Sequence, residues 1–313
     1  MRNTYLLIRE IRVHDANAMS SPLTVGFPAV TSFLGFMHAL ERNIRHNPAM
    51  QDITMKELAI ACHEFQLKTF QKRNGKQLVI NTKNPQHDTA KLDKPPSRTP
   101  EPRADMIVSL LINLGKSVSD LDEDREEFLH TVETNLCQMK LAGGDILGFA
   151  PFEYSDGKEK QESGVRCSGL LDLTGDKVST WKGLRSLMPG FVLVERRDIL
   201  QESKDTLDGF LDALSVHYAY EEANGAWAAS RAQAGWIVPI AVGFKGLAQL
   251  GKVMNQRDPN KPHRFAEPIL TLGEFKIPYH FRTLKGIMWH YQYKNENLYL
   301  CTNAVDVREE GVD

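Results

Sequence analysis

The stretch ANAMSSPLTVGFP at residues 16–28 runs directly into an amphipathic helix that begins near Ala29. The apolar residues at 5–13 before it predict a buried first strand, so a loop of small residues joins a strand to a helix. Such a loop brings backbone N–H groups close to a helix N-terminus, whose partial positive charge holds a phosphate or another anion. A tight structural turn is the competing interpretation, because no GxxxxGK[ST] or GxGxxG pattern is present.

Two predicted helices follow from apolar spacing. The first has Pro28 in its first turn and a core face made of Val30, Phe33, Leu34, Met37, Leu40 and Ile44. The second begins near Asp120 and ends at Gly143-Gly144. Its core face is predicted to comprise Phe128, Leu129, Val132, Leu136 and Met139.

Strand signals lie between and after these helices. An extended region at 53–71 turns at Asn74-Gly75, a strong hairpin signal, and returns through 77–80. The continuous apolar run at 106–112 predicts a central strand, and 191–194 predicts another. A polar loop rich in proline separates the hairpin from the central strand at residues 84–103.

In order, these elements predict an α+β, ferredoxin-like βαββαβ domain with a thumb-like β-hairpin extension. We place this domain at residues 1–198, including the hairpin and loop at 64–103. Residues 199–313 are predicted to pack on it as a helical insertion and a C-terminal region. That second part holds a helix near 207–218, an apolar segment at 236–241 and a candidate helix at 281–291.

Composition excludes several classes of protein. A hydrophobic content of 42% excludes wholesale disorder, and a formal net charge of −2 means that any nucleic-acid site has to be local. The four cysteines are far apart without CxxC spacing, so neither a zinc site nor a disulfide framework is indicated. Without an apolar run of membrane-spanning length, we expect a soluble, cytoplasmic protein.

Positive charge is concentrated in the hairpin and loop at 64–103. Nine basic residues against four acidic ones give this segment +5 in a chain of −2. Such asymmetry is typical of a local phosphate contact. A solvated hairpin whose charges protect its edges from aggregation is the alternative.

Several motifs together carry a family resemblance. They are SSPLTVGFP (20–28), FLGFMHAL (33–40), MKLAGGDIL (139–147), MPGFVLV (188–194), GWIVPI (235–240), Arg257-Asp258, Arg264-Phe265 and LGE (272–274). In this order they resemble the family of the second subunit of the Csy complex, the type I-F CRISPR surveillance assembly. Val25 departs from the pattern, in which an aromatic residue is expected.

The resemblance implies a non-catalytic RNA-binding protein of the RAMP type, without cofactor or metal. It implies contacts with the 5′ handle of a CRISPR RNA, the large subunit and the backbone filament subunit, and with target DNA through the assembled complex. No membrane partner is implied. The implied RNA-binding residues are Asn17, Ser20, Ser21, Thr24, Gly26, Phe27, Lys72, Arg73, Lys76, Gly143, Gly144, Arg257, Arg264 and Phe265.

Other interpretations of the same residues stay open. Gly143-Gly144 also suits a helix C-cap, and isolated arginines beside Asp258 and Glu267 commonly form salt bridges. A metal-independent endoribonuclease that cuts repeat RNA would use histidines as general acid or base, with candidates His14, His38 and His63. A purely structural partner of the large subunit is the third possibility.

The charge asymmetry gives a first prediction. Reversing the charges of Lys72, Arg73 and Lys76 together is expected to weaken guide-RNA binding. It should also lower the salt slope, the steepness with which log affinity falls with log salt concentration, by about one unit for each lost phosphate contact. Fluorescence anisotropy at several salt concentrations measures both quantities. An unchanged slope would assign the three side chains to a solvated hairpin.

Overall fold

A computed structural model describes residues 3–71, 78–80, 101–115, 125–154, 167–222, 225–254, 256 and 258–303. The helices are α1 (Val30–Ile44), α2 (Arg125–Leu136), α3 (Lys177–Ser186), α4 (Arg197–Glu202) and α5 (Thr206–Leu214). The strands are β1 (Asn3–Asn17), β2 (Glu57–Leu67), β3 (Thr69–Gln71), β4 (Leu78–Ile80), β5 (Arg103–Asn113), β6 (Lys140–Leu141), β7 (Gly144–Gly148), β8 (Gly169–Leu173), β9 (Phe191–Glu195), β10 (His217–Glu221), β11 (Ala226–Ser230), β12 (Ile237–Gly246), β13 (Ala266–Lys276), β14 (His290–Asn295) and β15 (Leu298–Thr302).

Most of the strands form one antiparallel sheet with helices on both faces, and the strands differ in length. Its order is β14-β15-β12-β13-β9-β2-β5-β1-β7-β6, and β8 pairs with β1 beside β7. β10–β11 and β3–β4 form separate two-stranded ribbons. The described residues therefore have a mixed α and β fold, dominated by strands.

Successive side chains of β1 point to opposite faces of the sheet, and both faces are buried. Leu6 and Ile8 contribute to the core beneath α1 and α2. Tyr5 and Leu7 point the opposite way, into a smaller core that includes Leu184 of α3. Because successive strand residues point to opposite faces, an uninterrupted apolar run such as 5–8 is the pattern of a strand covered on both sides.

Several predicted elements are confirmed. Every residue of the predicted core face of α1 is buried, as are four of the five on α2, while Met139 is partly buried beyond the helix end. β5 is central, between β1 and β2. The hairpin strands pair as expected, with Phe70 opposite Val79, while the turn between them lies outside the described residues.

Other predictions were wrong. The second helix ends at Leu136, and Gly143-Gly144 belongs to the turn between β6 and β7 rather than to a helix C-cap. The segment 281–291 is not a helix: it holds a 3-10 turn at Lys285–Ile287 and the start of β14. Its apolar residues Leu284, Ile287 and Met288 are buried in the smaller core without forming a helix.

The sequence prediction also missed or misplaced smaller features. None of the elements predicted from the sequence lies within 153–183, yet this segment contains β8 and most of α3. Pro28 precedes the N-cap residue Ala29 rather than lying in the first turn of α1. The predicted helix at 207–218 stops at Leu214, and β10 follows it.

The strand predicted at 191–194 exists as β9, but it lies between β2 and β13 and not next to β1. Through this pairing the strands after residue 199 continue the main sheet. The division of the chain at 198/199 stays a prediction.

Trp289 joins three parts of this sheet. Its side chain is fully buried, and its indole Nε1 donates to the Leu193 carbonyl over 2.8 Å. Its backbone exchanges two hydrogen bonds with Leu58 of β2, at 2.7 and 2.9 Å. Trp289 therefore ties the start of β14 to β2 and β9, in addition to the pairing of β13 with β9.

We predict that Trp289→Phe lowers the free energy of unfolding by about 2–4 kcal/mol, because it leaves a cavity and removes the donor to the Leu193 carbonyl. Trp227→Phe is the matched control, since that ring is 70% exposed and its truncation should cost less than about 0.5 kcal/mol. Urea unfolding measures both. Equal losses would contradict the proposed role of Trp289.

Candidate functional site

The loop between β1 and α1 is held by its own polar side chains. The Asn17 side chain accepts a hydrogen bond from the Met19 amide at 3.1 Å and donates to the Met19 carbonyl at 3.2 Å. The Thr24 hydroxyl lies 2.9 Å from that of Ser20 and 2.7 Å from that of Ser21. These contacts fix a compact loop of small residues, as the sequence predicts.

The turn between β6 and β7 lies against this loop. The backbone N–H of Asn17 donates a hydrogen bond to the Ala142 carbonyl over 2.9 Å. Ala142 and Gly143 have φ of 50° and 76°, the left-handed conformation of a tight hairpin turn. This hydrogen bond adds to the pairing of β1 with β7, which brings together two segments more than 100 residues apart in the chain.

A cleft of about 500 Å³ opens between the loop, the turn and α1. It is lined by Asn17, Ser20, Pro28, Ala29, Thr31, Ser32, Gly35, Phe36, Ala39, Met139, Lys140, Ala142, Gly143 and Phe244. Three of the residues predicted to bind RNA, Asn17, Ser20 and Gly143, therefore share one concave surface.

The electrostatics of the cleft favour an anion. The N-terminus of α1 lies at the cleft with no side-chain cap and no acidic residue in its first turn. The Ser32 amide already donates to the Ala29 carbonyl over 2.9 Å, so the helix end offers a ligand the amides before Ser32 and the positive end of the helix dipole. Lys140 adds a cation that is well exposed and paired with Asp145 at 2.6 Å.

Other predicted residues of the loop have different environments. Phe27 is only 5% exposed, and its ring packs on Phe33 and Phe275 in the core. A buried ring offers no free face for stacking on a base. Ser21 and Thr24 are likewise buried.

The predicted glycines differ in what surrounds them. At Gly26 and Gly143 no heavy atom lies within 4 Å of the position that a Cβ would take, so their backbones are open. At Gly144 a Cβ would lie 2.5 Å from the His14 carbonyl oxygen. Gly144 is thus required by close packing against β1, and Gly143 by its positive φ.

Two further predicted residues, Arg264 and Phe265, do not line this cleft. The Arg264 guanidinium donates to the Glu296 carbonyl at 2.5 Å and to the Asn297 side chain at 2.6 Å, so it holds the turn between β14 and β15. Phe265 is exposed and makes an edge contact with His263. Lys72, Arg73, Lys76 and Arg257 lie outside the described residues.

Some cleft residues escaped the sequence prediction. Thr31, Ser32 and Gly35 face the cleft from α1, and Phe244 reaches it from β12. Gly35 did carry a signal, since glycine inside a helix costs about 1 kcal/mol relative to alanine and therefore indicates another constraint. No local pattern connects Phe244 to this site.

The three histidines of the nuclease alternative have separate partners. His63 Nε2 lies 2.6 Å from the Ser109 hydroxyl, and the His38 ring makes an edge contact with Tyr291. Burial lowers the pKa of His38. His14 Nδ1 lies 2.9 Å from an Asp105 carboxylate oxygen.

Tertiary structure also groups His14, Asp15 and Asp105 closely enough to share a cation. Lys68 already occupies this group, with its Nζ 2.5 Å from Asp15 and 3.1 Å from Asp105. Although burial opposes it, these hydrogen bonds raise the pKa of Lys68. The cluster is a set of ion pairs at the base of the β3–β4 hairpin.

No helix of the described residues combines the length and the apolar character that a membrane crossing needs.

Comparison with known proteins identifies related sequences. Residues 6–301 match the family described as CRISPR-associated protein (Cas_Csy2). The CRISPR-associated protein Csy2 of Pseudomonas aeruginosa (strain UCBPP-PA14) is 32% identical over 325 aligned positions, which cover 94% of this chain and 93% of that protein.

The turn next to the cleft gives a matched pair of variants. We predict that Gly144→Ala lowers the free energy of unfolding by about 1–3 kcal/mol, because its Cβ would overlap the backbone of β1. Gly148→Ala, in the same strand with no neighbour within 4 Å, should change it by less than about 0.5 kcal/mol. Thermal unfolding of both variants checks this, and similar melting temperatures would contradict it.

Proposed function

Because the chain belongs to the Csy2 family, whose members are second subunits of the type I-F CRISPR surveillance complex, we propose that it is a non-catalytic subunit that holds the 5′ handle of the CRISPR RNA. The observation that carries the RNA contact is the cleft that joins the β1–α1 loop, the β6–β7 turn and the uncapped end of α1. This combination of backbone donors and small residues suits a phosphodiester chain.

The proposed mode of binding is recognition of shape. Gly143 and Ala142 let the RNA backbone approach without side-chain obstruction, and the first amides of α1 donate to phosphate oxygens. Asn17 and Ser20 at the rim supply polar groups for unstacked bases. Guide pairing then selects the target DNA.

The order of strands supports a ferredoxin-like core of the RAMP type. β7, β1, β5 and β2 are neighbours in that order, and α1 and α2 share the same face. We interpret this order as a split βαβ unit with the hairpin β3–β4 as a thumb-like extension of β2. In this interpretation β7, rather than the strand predicted at 191–194, is the last strand of the unit.

We also propose contacts with the large subunit and with the backbone filament subunit, in a cytoplasmic complex. The β1–α1 loop supports this, since Leu23 is 86% exposed and Met19 and Val25 are also exposed. Apolar side chains grouped on one loop are typical of a surface that a partner covers.

The cleft gives a charge-specific test. A side chain at Gly35 would enter open space within the cleft, so neither Gly35→Glu nor Gly35→Gln meets a neighbour at its Cβ. We predict that Gly35→Glu lowers the affinity for handle RNA by about tenfold through repulsion of phosphate, whereas Gly35→Gln changes it less than about threefold.

The measurement is anisotropy with labelled handle RNA, using the chain copurified with the other Csy subunits. Equal losses for the two variants would mean that bulk rather than charge matters, and no loss for either would exclude RNA from this cleft. A denaturing gel of the same mixtures tests the nuclease alternative, because cleavage would give a shorter product.

A further inference from the structure

A second surface with binding character lies on α3. Val178, Trp181, Lys182 and Arg185 follow one another at helical spacing and share one face of this helix. Trp181 is 45% exposed, and Val178 is more exposed still. A half-exposed indole that shares a helix face with two cations is not explained by packing of the core.

These side chains line a cleft of about 670 Å³ whose other residues are Arg9, Ser186 and Met188. Arg9 is 3% exposed, and its guanidinium donates to the Ser186 carbonyl and, over 3.2 Å, to the Met188 carbonyl. It therefore fixes the C-terminal end of α3 and places a positive charge at the base of the cleft.

The described residues that line this cleft carry charge of one sign. They include three cations and no carboxylate. Within the part of the chain that the structure describes, neither Lys182 nor Arg185 has a carboxylate within 4.0 Å, and the carboxylate of Glu10 lies 3.9 Å from Arg9. A concave surface of this kind attracts anions more strongly than scattered surface lysines do.

We propose that this cleft binds a nucleotide segment of a single-stranded nucleic acid, with a base stacked on Trp181 and phosphates held by Lys182 and Arg185. Aromatic faces beside cations are the common elements of single-strand binding, because every base offers a π-face and every linkage a charge. An acidic peptide would use the cations but would have no need of the exposed indole.

The site is separate from the cleft at α1. α3 packs on the face of the sheet that holds Leu184 and Leu187, whereas α1 packs on the opposite face. Binding at α3 therefore does not depend on the proposed handle site, and each can fail without the other.

The test uses the full chain with labelled single-stranded RNA and DNA of about 12 nucleotides and mixed sequence. The variants are Lys182→Glu with Arg185→Glu, and separately Trp181→Ala. The matched control is Lys204→Glu with Arg231→Glu, which reverses two exposed charges of the same kinds away from the cleft.

We expect Lys182→Glu with Arg185→Glu to lower the salt slope by about 1.4, because two phosphate contacts with a single strand are lost. Trp181→Ala should weaken binding about tenfold, because a stacked base is lost. The control variant should bind with the affinity of the wild type. The oligonucleotide that binds more tightly, RNA or DNA, identifies the nucleic acid for which the cleft is suited. Wild-type affinity in both α3 variants would overturn the proposal. The proposal would also be overturned if polyglutamate, at the same concentration of negative charge, displaced the labelled oligonucleotide as well as an unlabelled oligonucleotide does.

Discussion

The structure depends on the pairing of β1 with strands on both of its edges. β5 lies on one side of β1, while β7 and β8 share the other, so its backbone groups are satisfied along most of its length. Its side chains are buried on both faces, beneath α1 and α2 on one and against α3 on the other. Both cores and both clefts include residues of this strand, so all four depend on it.

The two clefts follow from that arrangement. At the end of β1, the amide of Asn17 holds the β6–β7 turn beside the N-terminus of α1 and thereby forms the first cleft. Nearer the middle of the strand, Arg9 holds the end of α3 and thereby forms the second. One strand thus positions two clefts on opposite faces of the sheet.

Beyond the core, the molecule presents exposed aromatic rings. On the β10–β11 ribbon, Tyr218, Tyr220 and Trp227 are all exposed, and Trp227 packs edge-on against its cross-strand partner Tyr220. A ribbon of two short strands gains little stability by itself. Its exposed rings are consistent with a protein that works within a larger assembly, as its family membership indicates.

The sequence by itself determined β1, α1, β5 and the core face of α2, because a continuous apolar run marks each strand and an apolar helical period marks each helix, and both signals lie within a few residues of the chain. It also indicated Asn17, Ser20 and Gly143 as site residues and, through ordered motifs, the family. Only the tertiary structure decided that Gly144 packs under His14, that Phe27 is buried and that Phe244 reaches the cleft. These facts depend on pairings between segments more than 100 residues apart, and strand pairing at that separation leaves no local periodic signal.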